Sequence, residues 1–220
     1  MTEHNHPPKT IAASAADVWD EKYRSRSRIW SGEPNPQLIA EAAPLPPGTA
    51  LDLGCGEGAD AIWLASRGWK VTAVDVSAVA LERAHTHAQE RGQGGNIKWM
   101  RRDLAAWVPG ELFDLVTAQF LHSTVMPWQQ ALQLAAAAVR TGGTLLIVGH
   151  HPEGLPPWGK HHHAPEKFYT AEQLALELGI EAPEWRLDVA DTRHRSATGP
   201  DGEAAALTDA VLRATRLAAR

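Results

Sequence analysis

One run of eight residues constrains this chain more than any other: Leu51-Asp52-Leu53-Gly54-Cys55-Gly56-Glu57-Gly58. An apolar run holding one acidic residue gives way to glycine at every second position. An apolar helical run, Ala61–Ala65, follows at once. Such a string reads as a buried strand that turns tightly into a helix. Its loop is too bare of side chains to keep a ligand at a distance. A second apolar run, Val71–Val74, ends at Asp75, 17 residues after Gly58. A carboxylate there can accept hydrogen bonds from both hydroxyls of a ribose.

The glycine spacing separates two kinds of nucleotide seat. A dinucleotide loop reads G-x-G-x-x-G and brings a helix N-terminus to a pyrophosphate. This loop reads G-x-G-x-G, and Asp52 stands two positions before its first glycine. A carboxylate so placed repels a pyrophosphate and suits a ligand that carries an ammonium and a sulfonium.

Strand-like and helical patterns alternate through the middle of the chain. Strands are expected at 49–54, 70–74, 96–101, 112–118 and 143–149, and helices at 58–67, 78–91 and 127–140. The alternation predicts a doubly wound, Rossmann-like parallel sheet with helices on both faces, and a ligand at the carboxyl ends of its strands. Before this core, helices are expected at Ala15–Arg24 and from Gln37 to Ala43. After it, Thr170–Leu178 carries a helix start signal, with Thr170 as cap and Gln173 three residues on. Glu184–Val189 alternates as a strand. Ala204–Leu217 has helical propensity but contains a β-compatible stretch, 210–217. The expected organisation is a disordered tail at 1–14 and one domain over 15–220. That domain divides into an N-terminal helical lid (15–48), a ligand-binding core (49–149) and a substrate-side, sheet-completing segment (150–220).

Composition bounds the partners. A net charge of -5 opposes a nucleic-acid substrate, since phosphate binding needs a basic face. No stretch has the apolar length of a membrane helix, and no signal sequence opens the chain, so a cytoplasmic protein is expected. The single cysteine, Cys55, excludes an intrachain disulfide and fits the loop as a compact space-filler. His161-His162-His163 invites a metal, but consecutive histidines do not converge on one ion without a special turn, and a solvated loop with no metal is expected.

The glycine loop resembles motif I of the class I S-adenosyl-L-methionine (SAM)-dependent methyltransferases, and later landmarks follow in that family's order. Arg101-Arg102-Asp103-Leu104 matches the acidic position beside the adenine. Phe113-Asp114-Leu115-Val116-Thr117-Ala118-Gln119 resembles the family's fourth strand, which ends under the methionine part of SAM. Thr141-Gly142-Gly143 resembles the turn before the fifth strand, with threonine in place of the usual proline. The resemblance implies a seven-stranded sheet, mostly parallel, whose C-terminal strand is antiparallel, so 210–217 is assigned as that strand. It implies SAM as cofactor, with Asp52, Gly54, Cys55, Gly56 and Gly58 on its methionine and ribose side. Asp75 and Val76 take the ribose, Asp103 and Leu104 the adenine, and Gln119 the region of the methyl group.

The segment Trp30-Ser31-Gly32-Glu33-Pro34-Asn35-Pro36 looks like the tellurite-resistance, thiopurine and thiol methyltransferase branch. It suggests Tyr23 and Trp30 as lid residues that shield the sulfonium, or else as helix packing on the sheet. His122 is either a base or acceptor-orienting group beside Gln119, or a ring that bonds the chain and starts the next helix. His150 and His151 point to opposite faces, so at most one meets the acceptor. A soft acceptor such as a thiolate needs little proton help, so transfer does not require a base. The expected activity is methyl transfer to a small molecule by a monomer or homodimer. The alternatives are a nicotinamide oxidoreductase on a related sheet and a non-catalytic SAM-binding regulator.

Overall fold

Along the chain the elements run α1 (Ala15–Arg24), α2 (Pro36–Ala42), β1 (Thr49–Leu53), α3 (Ala59–Ser66), β2 (Lys70–Asp75), α4 (Ala78–Glu90), β3 (Ile97–Arg101), β4 (Phe113–Gln119), α5 (Trp128–Ala137), β5 (Val139–His150), α6 (Ala171–Glu177), β6 (Trp185–Thr198) and β7 (Ala204–Arg216). The computed structural model describes residues 13–123, 126–157, 167–199 and 201–218. The histidine run 161–163 and residues 1–12 of the expected tail lie outside them.

The strands form one sheet in the order β3-β2-β1-β4-β5-β7-β6. Neighbours from β3 to β5 are parallel, and β7 runs antiparallel to both β5 and β6. Side chains alternate across it as a pleated strand requires. Leu51, Leu53, Val116, Ala118, Leu145 and Ile147 face one apolar cluster with Leu132 of α5 and Leu174 of α6. Ala50, Leu115, Leu146 and Val148 face the other, with Leu38 of α2 and Ile62 and Leu64 of α3. Burial on both faces is why the central strands read as nearly continuous apolar runs.

The chain moves outward from β1 through β2 to β3, then returns to lay β4 on the other side of β1. The direction of winding therefore reverses between β1 and β4, and their carboxyl ends open a crevice there. The glycine loop leaves β1 at this point, and Gln119 closes β4 beside it.

The boundaries differ from expectation in three places. Ser14, expected in the tail, caps α1. Its hydroxyl accepts from the Asp17 amide at 3.2 Å, and its own amide donates to the Asp17 carboxylate at 3.2 Å, a reciprocal capping box. β5 begins at Val139 and takes in residues expected in the preceding helix, because Val139 pairs with Phe113 before the register shifts. The C-terminal strands are much longer than 184–189 and 210–217. They pair from Trp185 with Arg216 out to Thr198 with Ala204, with one register shift between Leu187 and Val189. Among the described residues no helix is long and apolar enough to cross a membrane.

Candidate functional site

The glycine loop is held by backbone geometry that only glycine adopts cheaply. Gly56 has φ +53° and Gly58 φ +87°. A Cβ on Gly58 would lie 2.8 Å from both Trp99 Cη2 and Ala84 Cβ, so this glycine lets α3 start close against α4 and β3. A Cβ on Gly56 would lie 2.9 Å from the Tyr23 hydroxyl and 3.3 Å from Trp30 Nε1. Tyr23 and Trp30 thus sit directly against the loop, joined by a 3.0 Å bond from the indole N–H to the phenol oxygen. Trp30 remains 48% exposed, whereas Tyr23 is buried.

Carboxylates crowd this loop. Asp52 is buried. One oxygen accepts from the Thr117 hydroxyl at 2.9 Å, and the other has no partner among the described residues. Asp60, in the first turn of α3, accepts from the Asn35 amide at 2.6 Å. Desolvation pushes the Asp52 carboxyl well above the usual range, and the Asp60 charge adds to it. Desolvation also raises Asp60, against the pull of the Asn35 amide. Asp75 is raised by burial too, although three main-chain amides oppose the shift. Its oxygens accept from Gly56 N at 2.9 Å and Ser77 N at 2.8 Å. Each keeps a lone pair, so the carboxylate fixes the loop and can still accept from a ligand. A buried set of carboxylates with an orphaned oxygen fits a cation-bearing ligand and opposes a polyanion.

The other predicted positions lie around the same crevice. Val76 follows Asp75 and its carbonyl accepts from Arg101 Nε at 3.1 Å. Asp103 is exposed and turns back to accept from the Ala105 amide at 2.9 Å, while Leu104 is buried in the apolar cluster. Cys55 is partly buried, and desolvation pushes its thiol well up, so it is an unreactive filler. Gln119 accepts from Asn35 Nδ2 at 3.4 Å, and its own amide nitrogen is buried without a partner among the described residues.

Beyond Gln119 the backbone takes an uncommon step. Phe120 has φ +51°, costly for a residue with a Cβ. This bend lays Leu121 over Gly54, whose Cβ would fall 2.5 Å from Leu121 Cδ1. It also carries His122 to main-chain partners on two other segments. His122 Nδ1 donates to the Lys167 carbonyl at 3.0 Å, and Nε2 accepts from the His150 amide at 3.1 Å. Both ring nitrogens thereby bond main-chain groups. His150 stacks on His122 with centroids 5.5 Å apart and meets Phe120 at 4.4 Å. His151 is buried on the other side, where its Nδ1 accepts from the Glu153 amide at 3.2 Å. Of the two, His150 stands with the aromatic rings at the ends of β4 and β5.

The sequence reading missed Asp60, Asn35 and Glu57. Asp60 has one local signal, an acidic residue in a first helical turn, and that has a structural explanation of its own. Glu57 is 4% exposed inside the loop and accepts from Ile29 N and Trp30 N, partners that sequence spacing does not reveal.

Comparison with known proteins agrees with this geometry. Residues 50–143 match the family described as "Methyltransferase domain". The chain is 26% identical to "Probable thiol methyltransferase 2" of Arabidopsis thaliana over 79% of this chain and 78% of that protein. Several other curated methyltransferases match over shorter stretches, and the chain spans about half of their length. A solved structure described for the conversion of a disulfide bond into a thioacetal group during echinomycin biosynthesis superposes with TM-score 0.72 and 25% identity, covering 93% of this chain and 92% of that one. A methyltransferase from Geobacter sulfurreducens in complex with S-adenosyl-L-homocysteine (SAH) superposes with TM-score 0.58 and 20% identity, over 80% and 73% of the two chains. A glycine loop ringed by carboxylates at the winding reversal, on this strand order and with these relatives, agrees with the methyltransferase domain matched over residues 50–143: the chain is a SAM-dependent methyltransferase, an enzyme that carries the methyl group of SAM to an acceptor.

Proposed function

We propose that this chain methylates a small, soft nucleophile of the thiol class at the carboxyl ends of β4 and β5. When bound, SAM supplies a methyl group already activated by its sulfonium, which the acceptor displaces in line. The residues around the loop would then divide the cofactor between them. Asp75, with Val76, would accept from the ribose hydroxyls. Asp52 and Asp60 would face the ammonium, which answers the orphaned Asp52 oxygen. Gly54, Cys55, Gly56 and Gly58 would let the backbone close on the methionine and ribose, and Asp103 and Leu104 would flank the adenine. Tyr23 and Trp30 would shield the sulfonium from water and contact it through their π faces.

The observation that carries the acceptor class is the commitment of His122 at both nitrogens. That ring orients the strand ends and leaves Gln119 to face the transferred group. His150 lines the acceptor side, and His151 takes no part. With its best-placed ring engaged, the site favours an acceptor that ionises near neutral pH by itself, as a thiol does. The likeness to a probable thiol methyltransferase over most of both chains supports the same class. The net charge of -5 favours a small molecule over nucleic acid.

Radiolabelled SAM tests this against thiols, hydrosulfide, amines, carboxylates and catechols. Thioether products whose rate follows the ionisation of the thiol are expected. Transfer confined to oxygen or nitrogen acceptors would overturn the acceptor class.

A further inference from the structure

The glycine loop needs no charged side chain for its own turn, yet it contains Glu57, which is 4% exposed. The Glu57 carboxylate reaches the segment 25–35 that links α1 to α2. Oε2 accepts from the Trp30 amide at 3.1 Å and the Ile29 amide at 3.2 Å. Oε1 accepts from Arg83 Nη1 at 2.9 Å, and Arg83 Nη2 donates to the Arg26 carbonyl at 2.9 Å. One carboxylate and one guanidinium thus hold three main-chain groups of a strap that has no helix or strand of its own. The same strap presents Trp30 to Gly56, while the amide of Gly56 is bonded to Asp75.

We propose that Glu57 and Arg83 are a latch that ties the strap to the cofactor loop, and that they position the Trp30 lid according to whether that loop is filled. The proposal rests on the reading of this loop as the SAM seat. A buried glutamate at this place makes the two segments move together: any rearrangement of the loop on binding is passed to Ile29 and Trp30 through bonds that a neutral or shorter side chain does not reproduce. Among the described residues the side chains of Glu57 and Arg83 bond each other and the strap, not Asp75, Gln119 or His150, so they act through Trp30.

The strap carries its own reporter. Arg24, Arg26 and Arg28 are exposed trypsin sites, but cleavage requires local opening of the segment. The native full chain is digested with and without SAH, and the cuts are located by mass spectrometry. In the wild type these cuts are slow, and SAH slows them further. In Glu57→Gln and in Arg83→Met they are about tenfold faster, since cleavage follows the population of the open strap. SAH still binds both variants by calorimetry but protects the strap much less. Arg83→Lys restores part of the protection, and the double variant opens no further than either single one. Cleavage outside the strap stays at the wild-type rate. If Glu57→Gln fails to fold, Arg83→Met, at a partly exposed position of α4, decides alone. Wild-type cleavage rates in the variants, or undiminished protection by SAH, overturn the latch. A wild type that neither binds SAH nor gains protection instead overturns the reading of the loop as the cofactor seat and the coupling with it, whereas the cleavage rates without ligand separately judge the Glu57–Arg83 tie.

Discussion

Asp75 already holds two main-chain amides, so a ligand hydroxyl adds to a carboxylate whose position is fixed. Replacing it with alanine is expected to weaken SAM by about 1–3 kcal/mol, measured by titration calorimetry. The three raised carboxyls give that affinity a pH dependence of definite sign. In the cofactor-free fold Asp52, Asp60 and Asp75 hold their protons more tightly than an unfolded chain does. Their contribution to stability is therefore full below the ordinary Asp range, near pH ~4, and is lost as pH rises through the elevated values. A ligand that brings an ammonium and ribose hydroxyls to these groups prefers their ionised forms, so SAH affinity should rise with pH over the same window and binding should release protons. Calorimetry in buffers of different ionisation enthalpy measures that release, and proton uptake would contradict the assignment. Tyr169 makes a prediction of the opposite kind. Its hydroxyl is fully buried without a partner among the described residues, and its ring packs on Trp128 at 4.8 Å. Tyr169→Phe keeps the packing and removes the orphaned group, so the thermal midpoint should stay or rise. Asp52, Asp75 and the glycines were legible because a turn and the strand before it are written in consecutive residues. The engagement of His122 was not, because its partners come 28 and 45 residues later in the chain.

α1 and α2 read as helices from their spacing, yet their tasks emerge only in three dimensions. Asp20 of α1 accepts from the Ser77 hydroxyl at 2.5 Å and the Val79 amide at 3.3 Å, so it caps α4 from outside. Although burial works against it, these donors keep the Asp20 carboxyl below its ordinary value. In α2, Glu41 meets Arg193 of β6 at 2.6 Å and Arg213 of β7 at 2.8 Å, fastening the helix that follows the strap to the C-terminal hairpin. Glu41→Leu leaves both guanidinium groups short of an acceptor in a largely buried setting. A loss of about 1–3 kcal/mol in a denaturant titration is expected. The hairpin shows where local reading fails. Residues 190–198 are too polar to announce a strand, and the alanines at 204–206 suggest a helix. Cross-strand pairing overrides both tendencies, because each strand supplies the main-chain partners of the other.

The sheet is asymmetric in what its margins can bear. β7 lies inside it between β5 and β6, with Ala210, Val211, Leu212 and Ala214 fully buried. β6 is an edge strand, and its Leu187 is 45% exposed. Leu212→Ala should cost about 2–5 kcal/mol, whereas Leu187→Ala should fall within about 0.5 kcal/mol of the wild type. Equal losses at the two positions would mean that the strand order is wrong. The parallel core from β3 to β5 was legible from alternating patterns, but the insertion of β7 was taken from a family resemblance, because no local property of 204–216 says which strand it will join. That insertion also bears on how the protein is made. As a ribosome delivers the chain, β6 emerges with nothing to pair with, since both its future bonds and its route to β5 run through a strand not yet synthesised. The glycine turn can form early on local contacts, but the floor beneath Phe120 and His150 closes only after residue 216 is free. Ligand competence should therefore appear late and abruptly during translation, in step with the release of β7.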